Sequence, residues 1–380
     1  MHKDNMKLGI YDSVVVGAGI SALLTAQRLS LMGRRVVILE GRSRIGGRLV
    51  ATEQGFDLGA AWCWPSQERI LSGLAKDLGI ETFPQPADGM AVMEPGGMQF
   101  PDEGAAGPGA IRFRGGLGGL TKRLAETLNA DLVTIYTDQA VSQVQTNQDS
   151  VMVTSTSSSG EMKEWQARTC IITAPPRVAA TSINFSPQLN KDQREAMLSI
   201  STWMGETTKI VLEYETNWWQ KHDALSGAVF SHVGPLSQIW DNSDAEQNLF
   251  ALAAFSFDKH AQYLRNLNDD ELAKVLTKQL GRAFSVSSPP LPIAIHSAHW
   301  ITEPFTYAKP PSALPDTRNY GHKLLSQPHH EAVFFAGTET EPYHGHVEGA
   351  LRSALRVTDQ VQAFLIKQEN ASTTCRAATS

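Results

Sequence analysis

The sequence predicts an α/β fold, because strand and helix patterns alternate at its start and again in its second half. Residues 13–16 are a short β-branched run, residues 20–31 repeat apolar side chains at helical spacing, and RVVILE at 35–40 forms a second strand pattern. Residues 205–325 alternate further strands with one helix. A chain of 380 residues can hold two domains, or one nucleotide-binding domain with a second domain inserted into it.

The first β-α-β unit carries a dinucleotide fingerprint. Gly17, Gly19 and Ala22 occupy the three positions of GxGxxG/A, which provide a tight turn, close approach of a pyrophosphate, and close helix packing. The helix start, which includes Ser21, offers free N–H groups to the phosphates. Glu40 ends the second strand, where a carboxylate can bind a ribose 2′-hydroxyl. The unit therefore predicts a Rossmann-type site that disfavours NADP but does not separate NAD from FAD.

Composition argues against several other classes of protein. The formal net charge is −6, the pI is near 6.0, and no long Lys/Arg run follows a phosphate backbone, so nucleic acid is not expected as a partner. Cys63, Cys170 and Cys375 are odd in number and lie in no CxxC spacing, which favours reduced thiols and a cytoplasmic protein. No segment approaches the roughly 20 apolar residues of a membrane span.

The stretch GRSRIGGRL, directly after Glu40, favours FAD. It resembles the second flavin motif of the FAD-dependent amine oxidase superfamily, which includes monoamine oxidases, polyamine oxidases, histone lysine demethylases and L-amino acid oxidases. The resemblance implies that Gly46, Gly47 and Arg48 reach the pyrophosphate and that Arg42 lies near the adenosine. An arginine fork suits a diphosphate.

Further segments resemble the superfamily in the same order along the chain. FDLGAAW at 56–62 is similar to the stretch that passes beside the isoalloxazine and places an aromatic ring, here Trp62, near the substrate. The strands at 131–176 and the motif EAVFFAGTET with HVEGALR are similar to later flavin motifs. The further cofactor-binding residues that the resemblance implies are Gly59, Ala60, Val141, Gly337, Glu339 and Val347.

The resemblance also implies a fold. It is an α/β FAD-binding domain of the glutathione-reductase type, assembled from residues 1–81, 112–204 and 327–368, with an inserted mixed-sheet α+β substrate domain from residues 82–111 and 205–326. Residues 369–380 read as a flexible tail, because they are small and polar. Residues 82–111 are rich in Gly and Pro, which predicts a reduced helical lid. The site is then either open to large substrates or covered by a partner subunit, as in a homodimer.

Lys209 stands at the start of the strand TKIVLEY, which a Trp pair follows. In the amine oxidases a lysine at this position holds a water against the reactive flavin nitrogen and assists the reaction with oxygen, so the resemblance implies a catalytic role. The alternative is a lysine exposed to solvent on an edge strand.

Aromatic positions near the substrate differ from the superfamily pattern at one point. The resemblance puts Phe305 at the first of two rings that flank the substrate, with Trp300 as a nearby wall. The second ring position is His346, which adds a titratable group, and Tyr343 is an alternative source of that ring. We assign Lys209, His346 and Phe305 to catalysis, and Trp62, Trp300 and Tyr343 to substrate binding.

Two further expectations concern bound groups. Pro304 stands where relatives with covalent flavin have cysteine, so FAD is expected to be non-covalent. His344, His346, Glu341 and Glu348 could be read as metal ligands, but no Cys or His partner lies at customary spacing, and no metal is expected.

The leading hypothesis is an FAD-dependent oxidase of amines, which would use molecular oxygen and release an imine and hydrogen peroxide. No arginine is placed by motif to hold an α-carboxylate, so amines are favoured over amino acids. One alternative is a flavin-dependent desaturase or dehydrogenase that oxidises a carbon–carbon bond. Another is a flavin-binding complex subunit without turnover.

Overall fold

The structure is a computed structural model of the chain. It describes residues 10–102, 107–221, 224–309, 319–342 and 345–378, with the backbone alone for 372–378. The strands are β1 Tyr11–Val16, β2 Val36–Leu39, β3 Thr82–Pro84, β4 Met90–Glu94, β5 Met98–Pro101, β6 Ile111–Phe113, β7 Val133–Tyr136, β8 Ala140–Thr146, β9 Val151–Thr156, β10 Met162–Ile172, β11 Asn184–Ser186, β12 Thr208–Tyr214, β13 Leu225–Ser231, β14 Gln238–Asp241, β15 Phe250–Ser256, β16 Ala294–His299 and β17 Val333–Phe335. The helices are α1 Ile20–Leu31, α2 Arg69–Asp77, α3 Gly116–Glu126, α4 Pro176–Ser182, α5 Lys191–Ser199, α6 Asp258–Arg265, α7 Asp269–Ala283, α8 Lys323–Ser326 and α9 Val347–Ala378.

The chain divides into two compact units. The first comprises Met1–Gly47, Thr121–Trp203 and Pro304–Ser380, and the second comprises Arg48–Leu120 and Met204–Glu303. Residues 48–81 and 112–120, assigned to the FAD-binding domain from sequence, group with the second unit here because their contacts lie there. Cys63 and Ile111 exchange backbone hydrogen bonds, and the indole of Trp300 donates to Leu58 O at 3.2 Å. The division of the chain into an FAD-binding domain and a substrate domain at the predicted boundaries stays a prediction.

The first unit is built on a sheet with the strand order β11-β8-β9-β10-β1-β2-β7, in which β17 also pairs with β10. β1 lies parallel to both β2 and β10. The loop that follows its carboxyl end leads into α1. β2 is buried along its whole length, as expected of a parallel strand with both faces covered. α1 packs against α9.

The C-terminal segment differs from the sequence-based expectation. Residues 369–380 were predicted to be a flexible tail, but α9 continues to Ala378. Neither Gly nor Pro interrupts this stretch, and Glu369 forms ion pairs with Arg34 and Arg168, which also hydrogen-bonds to Leu365 O. These contacts hold α9 as far as Glu369, and whether the residues beyond it are flexible stays a prediction.

The second unit is built on a sheet with the order β16-β12-β15-β14-β13-β4-β5. All its neighbouring strands are antiparallel except β13 and β4. One face packs on α7, whose N-terminus has a capping box formed by Asn268 and Glu271. Residues 82–102 and 107–111 form strands and turns, and the β4–β5 hairpin extends this sheet at the place where the sequence predicted a reduced helical lid.

Two further properties concern the described residues alone. None of the helices described is both long and apolar enough to cross a membrane. Cys63 and Cys170 are buried thiols, and the side chain of Cys375 lies outside the described residues.

Candidate active site

Two glycine turns approach each other in the first unit. Gly17, directly after β1, has φ +99°, and a Cβ placed there would lie 2.6 Å from Thr173 Oγ1. A Cβ on Gly19 would meet no atom of the described residues within 4 Å. A Cβ on Gly47 would lie 3.3 Å from the Gly19 Cα, and Gly46 N donates to Ala18 O at 2.8 Å. The first glycine is therefore required by the turn itself, whereas the second leaves open space above the start of α1.

Glu40 lies at the end of β2 as predicted and is held rigidly. Its carboxylate is buried and accepts hydrogen bonds from the backbone N–H of Ala18 at 2.8 Å and of Arg42 at 2.9 Å. The carbonyl of Glu40 accepts from Gln139 N at 2.8 Å, which brings the start of β8, and with it Val141, close to this acid. The acid, the first glycine turn and Val141 thus form one neighbourhood.

Arg42 and Phe305 lie side by side in the first unit. The Arg42 guanidinium is 5.9 Å from the centre of the Phe305 ring and hydrogen-bonds to Pro304 O and Thr306 Oγ1. The ring packs over Gly41, where a Cβ would lie 2.7 Å from it, so this ring adjoins the acid at the end of β2. The role of Phe305 as a substrate-flanking ring stays a prediction.

A serine in α9 that was not predicted from the sequence connects the C-terminal motif to α1. Ser353 is fully buried in α9, accepts a hydrogen bond from Gly337 N at 2.8 Å, and lies 3.0 Å from the hydroxyl of Ser21. Glu339 is fully buried, and Val347 is the first residue of α9. The sequence could have indicated Ser353, because it is a polar residue on the otherwise apolar face of that helix.

His346 has an aromatic neighbour within the first unit. Its ring centre lies 6.2 Å from that of Trp203, and Thr338 Oγ1 donates to His346 O at 2.7 Å. Gly345 has φ +75°, and a Cβ there would overlap Trp203. The turn before α9 is therefore packed tightly against this indole. Tyr343 and His344 lie outside the described residues.

Lys209 is buried in the second unit, with only 1% of its surface exposed. Its strand, β12, lies between β15 and β16, so the interpretation as an exposed lysine on an edge strand is wrong. The Nζ atom donates to Gly59 O at 2.8 Å and lies 5.4 Å from the Trp62 ring and 5.5 Å from the Phe255 ring. The ammonium group is thus enclosed by one carbonyl and two aromatic faces.

Two charged residues near Lys209 were not singled out from sequence. Burial lowers the pKa of Lys209 to about 8, and the nearby Asp57 carboxylate opposes that change. Burial raises the pKa of Asp57 to about 6, whereas Lys209 and Arg112 oppose the increase. Burial also lowers the pKa of Arg112. Their signal in the sequence was weak, since Asp and Arg side chains are usually exposed to solvent.

Aromatic side chains line the same part of the second unit. Trp62 packs edge to face against Trp240 with ring centres 5.1 Å apart, and its indole donates to Gln85 Oε1 at 2.8 Å. Trp300 is buried, and a Cβ on Gly59 would lie 3.5 Å from its ring and only 1.8 Å from Arg48 O. Ala60, next in the chain, is exposed. The structure therefore brings Lys209, Trp62, Trp300 and Gly59 together.

Known proteins are similar to this chain in sequence. Residues 105–362 match the family described as flavin containing amine oxidoreductase, and residues 15–78 match the NAD(P)-binding Rossmann-like domain. The chain is 22% identical over 470 residues to amine oxidase [flavin-containing] A of Equus caballus, covering 94% of this chain and 86% of that protein. It is 36% identical over 97 residues to an L-amino acid dehydrogenase of Synechocystis sp., covering 24% of this chain and 20% of that protein.

The fold is similar to that of solved amine oxidases. The structure of putrescine oxidase bound to putrescine superimposes with a TM-score of 0.77 at 20% identity, covering 93% of this chain and 99% of that one.

The residues of the first unit fit the adenosine diphosphate part of FAD. Open space at Gly19, the free helix start behind it, and the fixed carboxylate of Glu40 match a pyrophosphate followed by a ribose hydroxyl pair. With a family match that spans most of the chain, this fit completes the assignment. The chain belongs to the flavin-containing amine oxidoreductase family and is an FAD-dependent oxidoreductase.

Proposed function

We propose that the chain is an amine oxidase that binds FAD without a covalent bond, oxidises the carbon next to a primary or secondary amine, and uses molecular oxygen as the electron acceptor. The observation that carries the proposal is the buried Lys209, whose Nζ contacts the carbonyl of Gly59 between two aromatic rings. Gly59 belongs to the stretch that, by resemblance, passes beside the isoalloxazine.

Residues of the first unit would hold the adenosine diphosphate part of the cofactor. By resemblance, Gly17, Gly19, Glu40 and Arg42 bind the adenosine diphosphate part, and Gly59 lies in the segment beside the ring system. When bound, FAD would supply the two-electron redox chemistry between the amine and oxygen. Non-covalent binding is proposed because Pro304 has no group that could form a covalent bond to the flavin.

Lys209 would supply a positive charge at a fixed point of a site from which water is largely excluded. A burial that lowers the pKa of its ammonium to about 8 keeps the Nζ proton available at neutral pH and lets it leave at moderately alkaline pH. Trp62, Phe255 and Trp240 enclose that point with apolar surface, which strengthens the electrostatic effect of the charge. A positive group held there favours negative charge that develops on reduced oxygen.

Replacing Lys209 by methionine tests the proposal. Lys209→Met keeps the length and apolar stem of the side chain, so we expect one FAD per chain and little change in the rate of anaerobic reduction by an amine. The rate of flavin reoxidation by oxygen in stopped flow should fall by roughly 10²-fold, because one fixed charge is lost. Lys278→Met, at an exposed position of α7, is the matched control. Unchanged oxygen reactivity in Lys209→Met would reject the proposed role.

A second candidate is a flavin-dependent dehydrogenase or desaturase that passes its electrons to another acceptor. Its support is the imidazole of His346, packed on Trp203 where the superfamily pattern has an aromatic ring. Hydrogen peroxide release with a panel of amines distinguishes the two. Flavin bleaching by a substrate under anaerobic conditions, together with slow reoxidation in air, would favour the dehydrogenase.

A further inference from the structure

Three buried charged residues form a group within the second unit, which we call the charge cluster: Asp57, Arg112 and Lys209. Their exposed fractions are 1%, 2% and 1%. Arg112, on β6, donates to Ser243 O at 3.2 Å, and its guanidinium lies 5.2 Å from the centre of the Phe83 ring. A buried charge without an opposite charge nearby is expensive. Asp57 interacts with both cations of the cluster, and Arg112 also faces the buried carboxylates of Asp241 and Asp244.

Asp57 connects the cluster to the backbone at two places. Its Oδ1 accepts hydrogen bonds from Leu117 N at 2.8 Å and Gly118 N at 3.4 Å, at the beginning of α3. Two residues along the chain, Gly59 O accepts the hydrogen bond from Lys209 Nζ at 2.8 Å. The short segment 57–59 is therefore fixed at one end by a helix start and at the other by the lysine.

We propose that Asp57 is a positioning residue for Lys209: it anchors the segment 57–59 to α3, so that Gly59 O meets Nζ, and it places a buried carboxylate in the same cluster as the ammonium group. The link between the two residues does not depend on what the lysine does. Its consequence for the reaction with oxygen rests on the proposed function.

The charges that face Lys209 determine whether a substitution nearby raises or lowers its pKa. Among the described residues these are Asp57, on the segment before α3, and Arg112, on β6. Asp57 raises the pKa of Lys209, and Arg112 lowers it. Removing the carboxylate charge should therefore move the lysine's titration to lower pH, and removing the guanidinium should move it to higher pH. By reciprocity, removing Lys209 should raise the pKa of Asp57.

The test is a titration of Lys209 in the FAD-loaded protein. Lysine labelled with ¹³C at Cε is incorporated, the NMR signal of Lys209 is assigned by its absence in Lys209→Met, and its midpoint is followed against pH. We expect Asp57→Asn to lower the midpoint by roughly one unit or more, and Arg112→Gln to raise it. A midpoint unmoved or raised in Asp57→Asn would overturn the proposal.

Comparing two substitutions separates charge from anchoring. Asp57→Asn keeps an oxygen that can accept from Leu117 N, whereas Asp57→Ala removes both the charge and the acceptor. We expect the pH dependence of flavin reoxidation to shift with the lysine midpoint in Asp57→Asn, and reoxidation to slow at every pH in Asp57→Ala. If the midpoint shifts in Asp57→Asn but reoxidation does not follow it, the positioning role stands and the proposed role of Lys209 in oxygen chemistry fails.

A reciprocal measurement covers the case in which the Asp57 variants do not fold. In Lys209→Met, the carboxyl signal of Asp57, labelled with ¹³C at Cγ, should titrate at a higher pH than in the parent protein. An unchanged midpoint would show that the two groups do not interact and would reject the proposal.

Discussion

Gly19→Ala separates what the fold requires of the glycine turn from what the cofactor requires. Gly19 precedes α1 with φ −73° and ψ 175°, a conformation open to any residue, and its Cβ would meet no described atom within 4 Å. Alanine is a poorer N-cap than glycine, but it also restricts the unfolded chain, and these effects oppose each other. The free energy of unfolding of the protein without FAD should therefore change by less than about 1 kcal/mol.

FAD binding should respond differently to the same methyl group. If the pyrophosphate occupies the open space beside Gly19, the methyl group overpacks it, which typically costs about 1–3 kcal/mol or roughly 5- to 150-fold in Kd. The assays are urea unfolding of the deflavinated protein and titration with FAD followed by the quenching of its fluorescence.

Gly17→Ala is the contrasting variant for this experiment. Its φ of +99° and the 2.6 Å approach to Thr173 Oγ1 strain the protein itself, so the deflavinated protein should lose about 1–3 kcal/mol. The reasoning is refuted if Gly19→Ala destabilises the deflavinated protein as much as Gly17→Ala does, or if it binds FAD with unchanged affinity.

Two further substitutions test the second unit. Gly59→Ala would put a Cβ 1.8 Å from Arg48 O, so the backbone that accepts from Lys209 must move. If Lys209 acts as proposed, flavin reoxidation should slow by roughly tenfold or more. Gly73→Ala, in open space within α2, should instead raise stability by about 0.5–1 kcal/mol in urea unfolding and leave reoxidation unchanged. Asn268→Ala removes half of the capping box with Glu271 and should cost about 1 kcal/mol in the same unfolding assay, without affecting FAD content.

The parts of the fold that follow from local spacing could be predicted from the sequence. Gly17, Gly19 and Glu40 lie within one β-α-β unit, where the distance along the chain fixes the distance in space, and the structure places them as expected. Helix α7 was also predictable, because its apolar periodicity and acidic first turn agree. Composition alone did not indicate that α9 continues to Ala378 or that Glu369 forms ion pairs with Arg34 and Arg168; whether residues 369–380 are flexible stays a prediction.

The burial of Lys209 could not be derived from its own strand. The pattern TKIVLEY is compatible with an edge strand or a central one, and the order β16-β12-β15 shows that the strand is central. The side chain is buried because Gly59 O and the rings of Trp62 and Phe255 lie against it. Asp57 and Arg112 reach it from other parts of the second unit, across long separations in sequence. Single charges carry no periodicity, so a cluster assembled by tertiary structure leaves no signal in the sequence that marks its members as neighbours.

The charge cluster lowers the stability of the protein at neutral pH, which is an argument for its function. The pKa of Asp57 is raised from 3.8 to about 6, so its favourable contribution to folding is complete below pH 3.8 and is lost as the pH rises through 6. The pKa of Lys209 is lowered from 10.5 to about 8, so its favourable contribution is complete above pH 10.5 and is lost as the pH falls through 8. Between pH 6 and 8 neither contribution remains, and both groups are held in their charged forms inside the protein. Packed apolar residues of the same volume could give the protein a higher free energy of unfolding. The buried ammonium and carboxylate therefore lower the free energy of unfolding in that pH range. Such a loss is expected where a charge must be held at a fixed position, as the proposed stabilisation of developing negative charge requires.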